Sequence, residues 1–89
     1  MLHSEGSKTF YKQCGEAMQI TKAMGGNPTC FVIHPSILKH IHPADRIVST
    51  EHMNIGASLS AFGLPVFERD EQRPECIGIL DNLPPDVIA

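Results

Sequence analysis

Histidine side chains form the one cluster in this sequence whose spacing could support chemistry. His34, His40 and His42 fall within nine residues, and Asp45 follows three positions after the last of them. Neutral imidazoles and a carboxylate are typical zinc ligands. His40, His42 and Asp45 therefore form a candidate metal site, which would make the chain a small metal-binding or hydrolytic domain. The alternative is a solvated helix end, where histidine interacts favourably with the helix dipole.

Cysteine spacing argues against both a disulfide framework and an active-site thiol. Cys14, Cys30 and Cys76 are odd in number and form no C-x-x-C pair, so we expect three free thiols, as in a reducing cytosol. On a strand, Cys30 and His34 would lie ~13 Å apart, too far for a nucleophile and its base. A pairing of another cysteine with a distant histidine stays open. We predict no catalytic residue, no cofactor and no enzymatic activity.

Composition excludes several classes of partner. Seven Lys and Arg against ten Asp and Glu give a formal charge of -3, so no basic surface is expected to bind nucleic acid. Hydrophobic residues make up 42% of the chain, which predicts a folded domain rather than a disordered segment. The sequence shows neither an export signal nor an apolar run long enough for a membrane span. A cytoplasmic protein is expected.

The N-terminal part of the chain has the pattern of an amphipathic helix. Over residues 7–24, apolar positions such as Phe10, Cys14 and Met18 recur at intervals of three and four residues. A glycine at position 25, followed by a proline three residues later, should end this helix. One long helix is predicted.

A short apolar strand is predicted at residues 29–34. Its hydrophobic residues are consecutive rather than alternating, which indicates a central strand covered on both faces. Pro35 can then open a short helix. Residues 43–60 fit either strand or helix, and this segment remains open.

The C-terminal half predicts a β-hairpin. Residues 64–69 read as an edge strand, because Pro65 removes a backbone donor. The charged segment 68–75 would form a solvated turn, and residues 76–80 would be the returning strand.

These elements predict an α+β fold: a long N-terminal helix packed on a small mixed sheet of three to four strands, with a short helix after the first strand. We expect a flexible arm at residues 1–6, a single domain over 7–83 and a C-terminal tail over 84–89. A core this small cannot cover every apolar face, so a homo-oligomer is predicted. The candidate contacts are the strand residues Val66 and Phe67 and the helix residues Phe10 and Met18.

Three segments together resemble the tailed-bacteriophage major capsid protein fold. They are residues 27–41, residues 62–70 with the Gly-Leu-Pro-Val sequence, and residues 77–81, and the resemblance extends over 8–81. In that family the corresponding segment belongs to the axial domain, which packs subunits around capsomer centres. The chain lacks the long spine helix and extended loop of a whole shell subunit. The resemblance therefore implies a phage- or prophage-derived assembly module, located in the cytoplasm or the virion, whose partner is itself or another virion protein.

Overall fold

The computed structural model describes residues 1–87 and has the predicted α+β architecture. A long helix is followed by a mixed four-stranded sheet and short helical segments. In chain order the elements are α1 (Glu5–Ala23), β1 (Cys30–Ile33), α2 (Pro35–Leu38), a 3-10 helix (Pro43–Asp45), α3 (Thr50–Asn54), β2 (Leu59–Ala61), β3 (Leu64–Glu68) and β4 (Gly78–Leu80). The strands lie in the order β2-β3-β1-β4.

Capping residues explain where α1 begins and ends. The Ser4 side chain accepts a hydrogen bond from the backbone N–H of Ser7 at 3.1 Å, which satisfies one of the free donors of the first turn. Gly25 has a φ of +85° and ends the helix in the left-handed conformation that the sequence predicts. Because α1 begins at Glu5, the last two residues of the predicted arm 1–6 are helical.

The central position of β1 agrees with its unbroken apolar sequence. All four residues are buried, and the strand pairs in parallel with β3 and antiparallel with β4. On one side of the sheet, Phe31 and Ile33 belong to a core that α1 covers with Phe10 and Cys14. On the other side, Cys30 packs with Phe67 and Ala57.

The open segment 43–60 resolves into the 3-10 helix, α3 and the start of β2. A two-residue turn joins β2 to β3, with φ values of +53° at Phe62 and +77° at Gly63. Positive φ at both positions defines the turn that matches the twist of a hairpin. A phenylalanine at the first position is unusual, and its ring lies over Gly15 of α1.

Two predictions about strand order are wrong. β3 is internal, with β2 on one side and β1 on the other, so it is not an edge strand. β4 is not the hairpin partner of β3, because it pairs with β1 instead. Pro65 is tolerated inside the sheet because the parallel pairing with β1 begins one residue later, at Val66, and the missing N–H removes no bond from that ladder.

Residues beyond β4 close the second side of the sheet. Leu83 and Val87 pack against the small core that contains Phe67, and Pro84 is buried. The predicted tail at 84–89 therefore contributes to packing up to Val87, and its last two residues lie outside the described part of the chain. No helix within residues 1–87 has the length and hydrophobicity that crossing a membrane requires.

Candidate functional site

The cluster with the most chemical potential consists of His3, His42 and Asp45. One possible ligand atom from each side chain lies within 4.8 Å of those from the other two. The two histidines are exposed, whereas Asp45 is only 3% exposed. A buried carboxylate thus lies beneath two imidazoles that solvent can reach.

Local sequence explains how His42 and Asp45 come together. His42 has φ −55° and ψ 135°, the polyproline-like conformation that a following proline favours, and its Nδ1 accepts a hydrogen bond from the backbone N–H of Ala44 at 3.0 Å. Pro43 then opens a single turn of 3-10 helix that ends at Asp45. Because positions three residues apart align in a 3-10 helix, His42 and Asp45 lie on the same side of this turn.

The first turn of α1 supplies the other wall of the site. A Cβ at position 6 would lie 2.0 Å from the carbonyl oxygen of His40, so only glycine permits this close approach. One residue later, the hydroxyl of Ser7, which is fully buried, accepts a hydrogen bond from the backbone N–H of His42 at 3.0 Å. These two small residues connect α1 to the segment that carries Asp45.

His3 contacts the carboxylate of Asp45 twice. Its backbone N–H donates to Oδ2 at 2.8 Å, and its Nδ1 lies 2.5 Å from Oδ1. Burial by itself would raise the pKa of the Asp45 carboxyl, but hydrogen bonds from the Ser7 hydroxyl and from His3 outweigh burial and hold that pKa well below its usual range. Asp45 is therefore an anion at neutral pH.

The backbone around Asp45 is fixed by two further side chains. The hydroxyl of Tyr11 donates to the Asp45 carbonyl oxygen at 2.7 Å, and burial is the main cause of the raised pKa of this phenol. Arg46 donates to the carbonyl oxygens of Ile41 and Leu38 rather than to a carboxylate. Within residues 1–87, the only ion-pair partner of Asp45 is His3, which is charged only when protonated.

The structure brings together two of the three predicted metal ligands. His40 is exposed and is not part of the cluster with His42 and Asp45; its place is taken by His3. The imidazole rings of His3 and His42 are stacked, with centroids 5.1 Å apart and an angle of 22° between their planes. Sequence reasoning missed His3 because it is 42 residues away from Asp45 and precedes the first helix.

Three of the four predicted contact residues are buried, and the fourth is partly buried. Val66 and Phe67 are buried in the internal strand β3, and Phe10 is buried between α1 and the sheet. Met18 is partly buried against the same core. The prediction that β3 offers a free edge for self-association is therefore wrong, because β3 is internal. Self-association itself stays a prediction.

The free edge of the sheet belongs to β4. The backbone carbonyl of Ile33 accepts a hydrogen bond from the backbone N–H of Arg69, so the backbone polar groups of Ile33 face β3. Because these groups alternate in direction along a strand, those of Cys30 and Val32 face β4, where the two residues pair with Leu80 and Gly78. This alternation directs the backbone N–H and C=O of Ile79 outward. The opposite edge differs, because the backbone N–H of Ser60 in β2 donates to the carbonyl oxygen of Ile47 at 2.7 Å.

A shallow pocket adjoins β4. Its volume is about 350 Å³, and Val32, Leu80 and Pro84 form much of its apolar wall. Arg69 and Asp86, whose side chains form an ion pair at 2.8 Å, lie at its rim. Pockets of this size and mixed lining accommodate a side chain or a small ligand.

Cysteine positions match the expectation of free thiols. All three are unpaired in the structure; Cys14 and Cys30 are buried, and Cys76 is exposed. Burial raises the pKa of Cys14 to about 12 and also raises that of Cys30, where the charge of Arg69 acts in the opposite direction. Neither buried thiol has the lowered pKa of a nucleophile.

Comparison of the chain with known protein families, with curated protein sequences and with solved structures gave no match.

Proposed function

We propose that this chain is a non-catalytic structural or assembly module that binds a second copy of itself, or another virion or prophage protein, through the free edge of β4. The observation that carries the proposal is the outward-facing backbone of Ile79, which no strand in residues 1–87 covers. An uncovered strand edge is a template for pairing with another chain.

Features around β4 support strand addition as the mode of contact. An added strand gains affinity from backbone hydrogen bonds and specificity from pockets that accept its side chains. The 350 Å³ pocket is lined in part by Gly78 and Leu80 of β4, which supports docking of such a side chain next to this strand. Leu80 is itself 38% exposed, so a partner would remove apolar surface from water.

The resemblance of residues 27–41, 62–70 and 77–81 to the axial domain of phage capsid proteins supports a role in assembly. In that family the domain packs copies of itself. A phage-derived module would use the same kind of contact, and β4 replaces β3 as its location. The alternative, a small metal-binding or hydrolytic domain centred on His40, His42 and Asp45, loses one of its three residues, because His40 lies outside the cluster.

Light scattering at micromolar and higher concentrations tests the proposal. We expect the wild-type protein to associate as concentration rises. Leu80→Lys should weaken that association, because a lysine on an edge strand opposes pairing. The control is Ile47→Lys, which introduces the same charge at a 71% exposed apolar residue beside the opposite, occupied edge.

Two results would contradict this account. If the wild-type protein stays monomeric throughout the concentration range, the proposed self-association through β4 does not occur. An equal loss of association in Leu80→Lys and Ile47→Lys would place the contact elsewhere than β4. Circular dichroism spectra of both variants should match the wild-type spectrum, so that a loss of association reflects the surface and not the fold.

A further inference from the structure

We propose that His3, His42 and Asp45 bind one zinc-class divalent ion, with one imidazole nitrogen from each histidine, one carboxylate oxygen from the aspartate and solvent in the remaining position. This donor set differs from the one that the sequence predicts, because His3 replaces His40. Two imidazoles and a carboxylate are a known ligand set for zinc with an open coordination position.

Charge is the first argument for a cation at this point. The carboxyl group of Asp45 is buried, and within residues 1–87 no lysine or arginine forms an ion pair with it. Buried charges in proteins are paired with an opposite charge or coordinate a metal. His3 supplies a positive charge only when protonated, so a divalent ion would provide the permanent partner that this carboxylate lacks.

Ring geometry is the second argument. Two imidazoles bound at ~2.0 Å to one tetrahedral ion place their ring centres roughly 5 Å apart. The ring centroids of His3 and His42 are 5.1 Å apart. The possible ligand atoms lie within 4.8 Å of one another, and an ion requires them to be closer. Rotation of the histidine side chains can bring them closer, because both histidines are exposed.

Support from surrounding residues is the third argument. The backbone N–H of His3 donates to Oδ2 of Asp45 at 2.8 Å, so this oxygen is fixed while Oδ1 can face an ion. Ordered partners of this kind orient the ligands of metal sites. On binding, the proton between His3 Nδ1 and Asp45 Oδ1 is released to solvent and these two atoms move apart to admit the ion. The hydrogen bond from Ala44 to His42 is given up.

Such an ion would connect the segment before α1 to the 3-10 helix, two parts of the chain separated by about forty residues. The connection would be additional to the existing hydrogen bonds. It is independent of the edge of β4, so a metal-free protein could still assemble and a monomer could still bind zinc.

Isothermal titration of the full chain with zinc chloride, after removal of metal by chelator and dialysis, tests the site. We expect one ion per chain for the wild-type protein and at least about tenfold weaker binding for His3→Gln and for His42→Gln. The matched control is His40→Gln, which removes an exposed imidazole two residues from His42 and should bind zinc as tightly as wild type.

Absence of saturable zinc binding in the wild-type protein would overturn the proposal. So would a loss in His40→Gln equal to that in His42→Gln, because it would indicate unspecific binding to surface histidines. Melting curves measured in chelator establish that each variant is folded. Cobalt(II) provides a second readout, since an intense visible absorption band that disappears in His42→Gln reports a site of low coordination number that uses this residue.

Discussion

His3 and Asp45 form a two-point contact in which the backbone N–H and the imidazole of one residue both meet the carboxylate of the other, at 2.8 Å and 2.5 Å. This contact ties the residues before α1 to the 3-10 helix across 42 positions of sequence. Because Ser7 and Tyr11 of α1 also bond to the segment around Asp45, the start of the helix and the region after β1 form one unit.

Asp45→Asn should lower the melting temperature by several degrees in the presence of chelator. An asparagine accepts hydrogen bonds through one oxygen only, and its amide group would place a donor against the donors of His3 or Ser7 in a buried position. Thermal unfolding followed by circular dichroism measures the effect. Asp70→Asn, at an exposed position after β3, should melt like wild type, and equal melting of Asp45→Asn would refute the anchoring role.

Gly6→Ala should destabilise the protein by about 2 kcal/mol, because its Cβ would overlap the backbone carbonyl of His40 and force the two segments apart. Urea denaturation gives the free energy of unfolding. Gly15→Ala is the matched control on the same helix. Its Cβ meets only the end of the Phe62 ring, at 3.1 Å, and the gain in helix propensity of ~1 kcal/mol offsets that contact. Equal losses in the two variants would contradict the close approach at position 6.

Native protein should react quickly with a thiol reagent at one cysteine and slowly at two. Cys76 is exposed, whereas Cys14 and Cys30 are buried and have raised pKa values. Counting labelled thiols by mass spectrometry should therefore give one in the folded protein and three in denaturant without reductant. Cys76→Ser should abolish the fast reaction. A single labelled thiol after full unfolding would reveal a bridge between the other two cysteines and contradict the structure.

Alkaline pH should destabilise the fold through Cys14. Its pKa is raised from 9.0 to about 12, so above 9.0 the unfolded chain loses the thiol proton while the folded chain keeps it. The free energy of unfolding therefore falls as the pH rises through this interval. Denaturation midpoints measured against pH should show a smaller decline in Cys14→Ala, and Cys76→Ser should follow the wild-type curve. An unchanged slope in Cys14→Ala would contradict the assignment.

Local patterns in the sequence predicted the elements that depend on near neighbours. The spacing of Phe10, Cys14 and Met18 fixes one helical face, and the consecutive apolar residues of β1 require burial on both sides. Local sequence patterns could not predict the order of the strands in the sheet. A parallel pairing of β1 with β3 depends on contacts across the whole intervening chain, and it separates two strands that the sequence suggests are a hairpin.

The candidate site shows the same division between local and distant information. His42 and Asp45 were predicted together because they are three positions apart in the sequence, and the 3-10 helix brings this spacing onto one side of a turn. His40 seemed equivalent to His42 by spacing, but the buried Ile41 between them places the two histidines in different surroundings. Nothing near His3 in the sequence signals that it reaches Asp45, since that contact requires the tertiary approach of Gly6 to residue 40.

Hydrogen exchange of the Ile79 backbone amide, measured by NMR over a range of protein concentrations, tests the central claim most directly. Its N–H faces outward from β4 and no strand within residues 1–87 pairs with that edge, so it should exchange quickly in dilute solution. If β4 is the assembly edge, exchange at Ile79 should slow as the protein associates, because the amide becomes bonded to another chain. Association that leaves exchange at Ile79 unchanged would contradict the account.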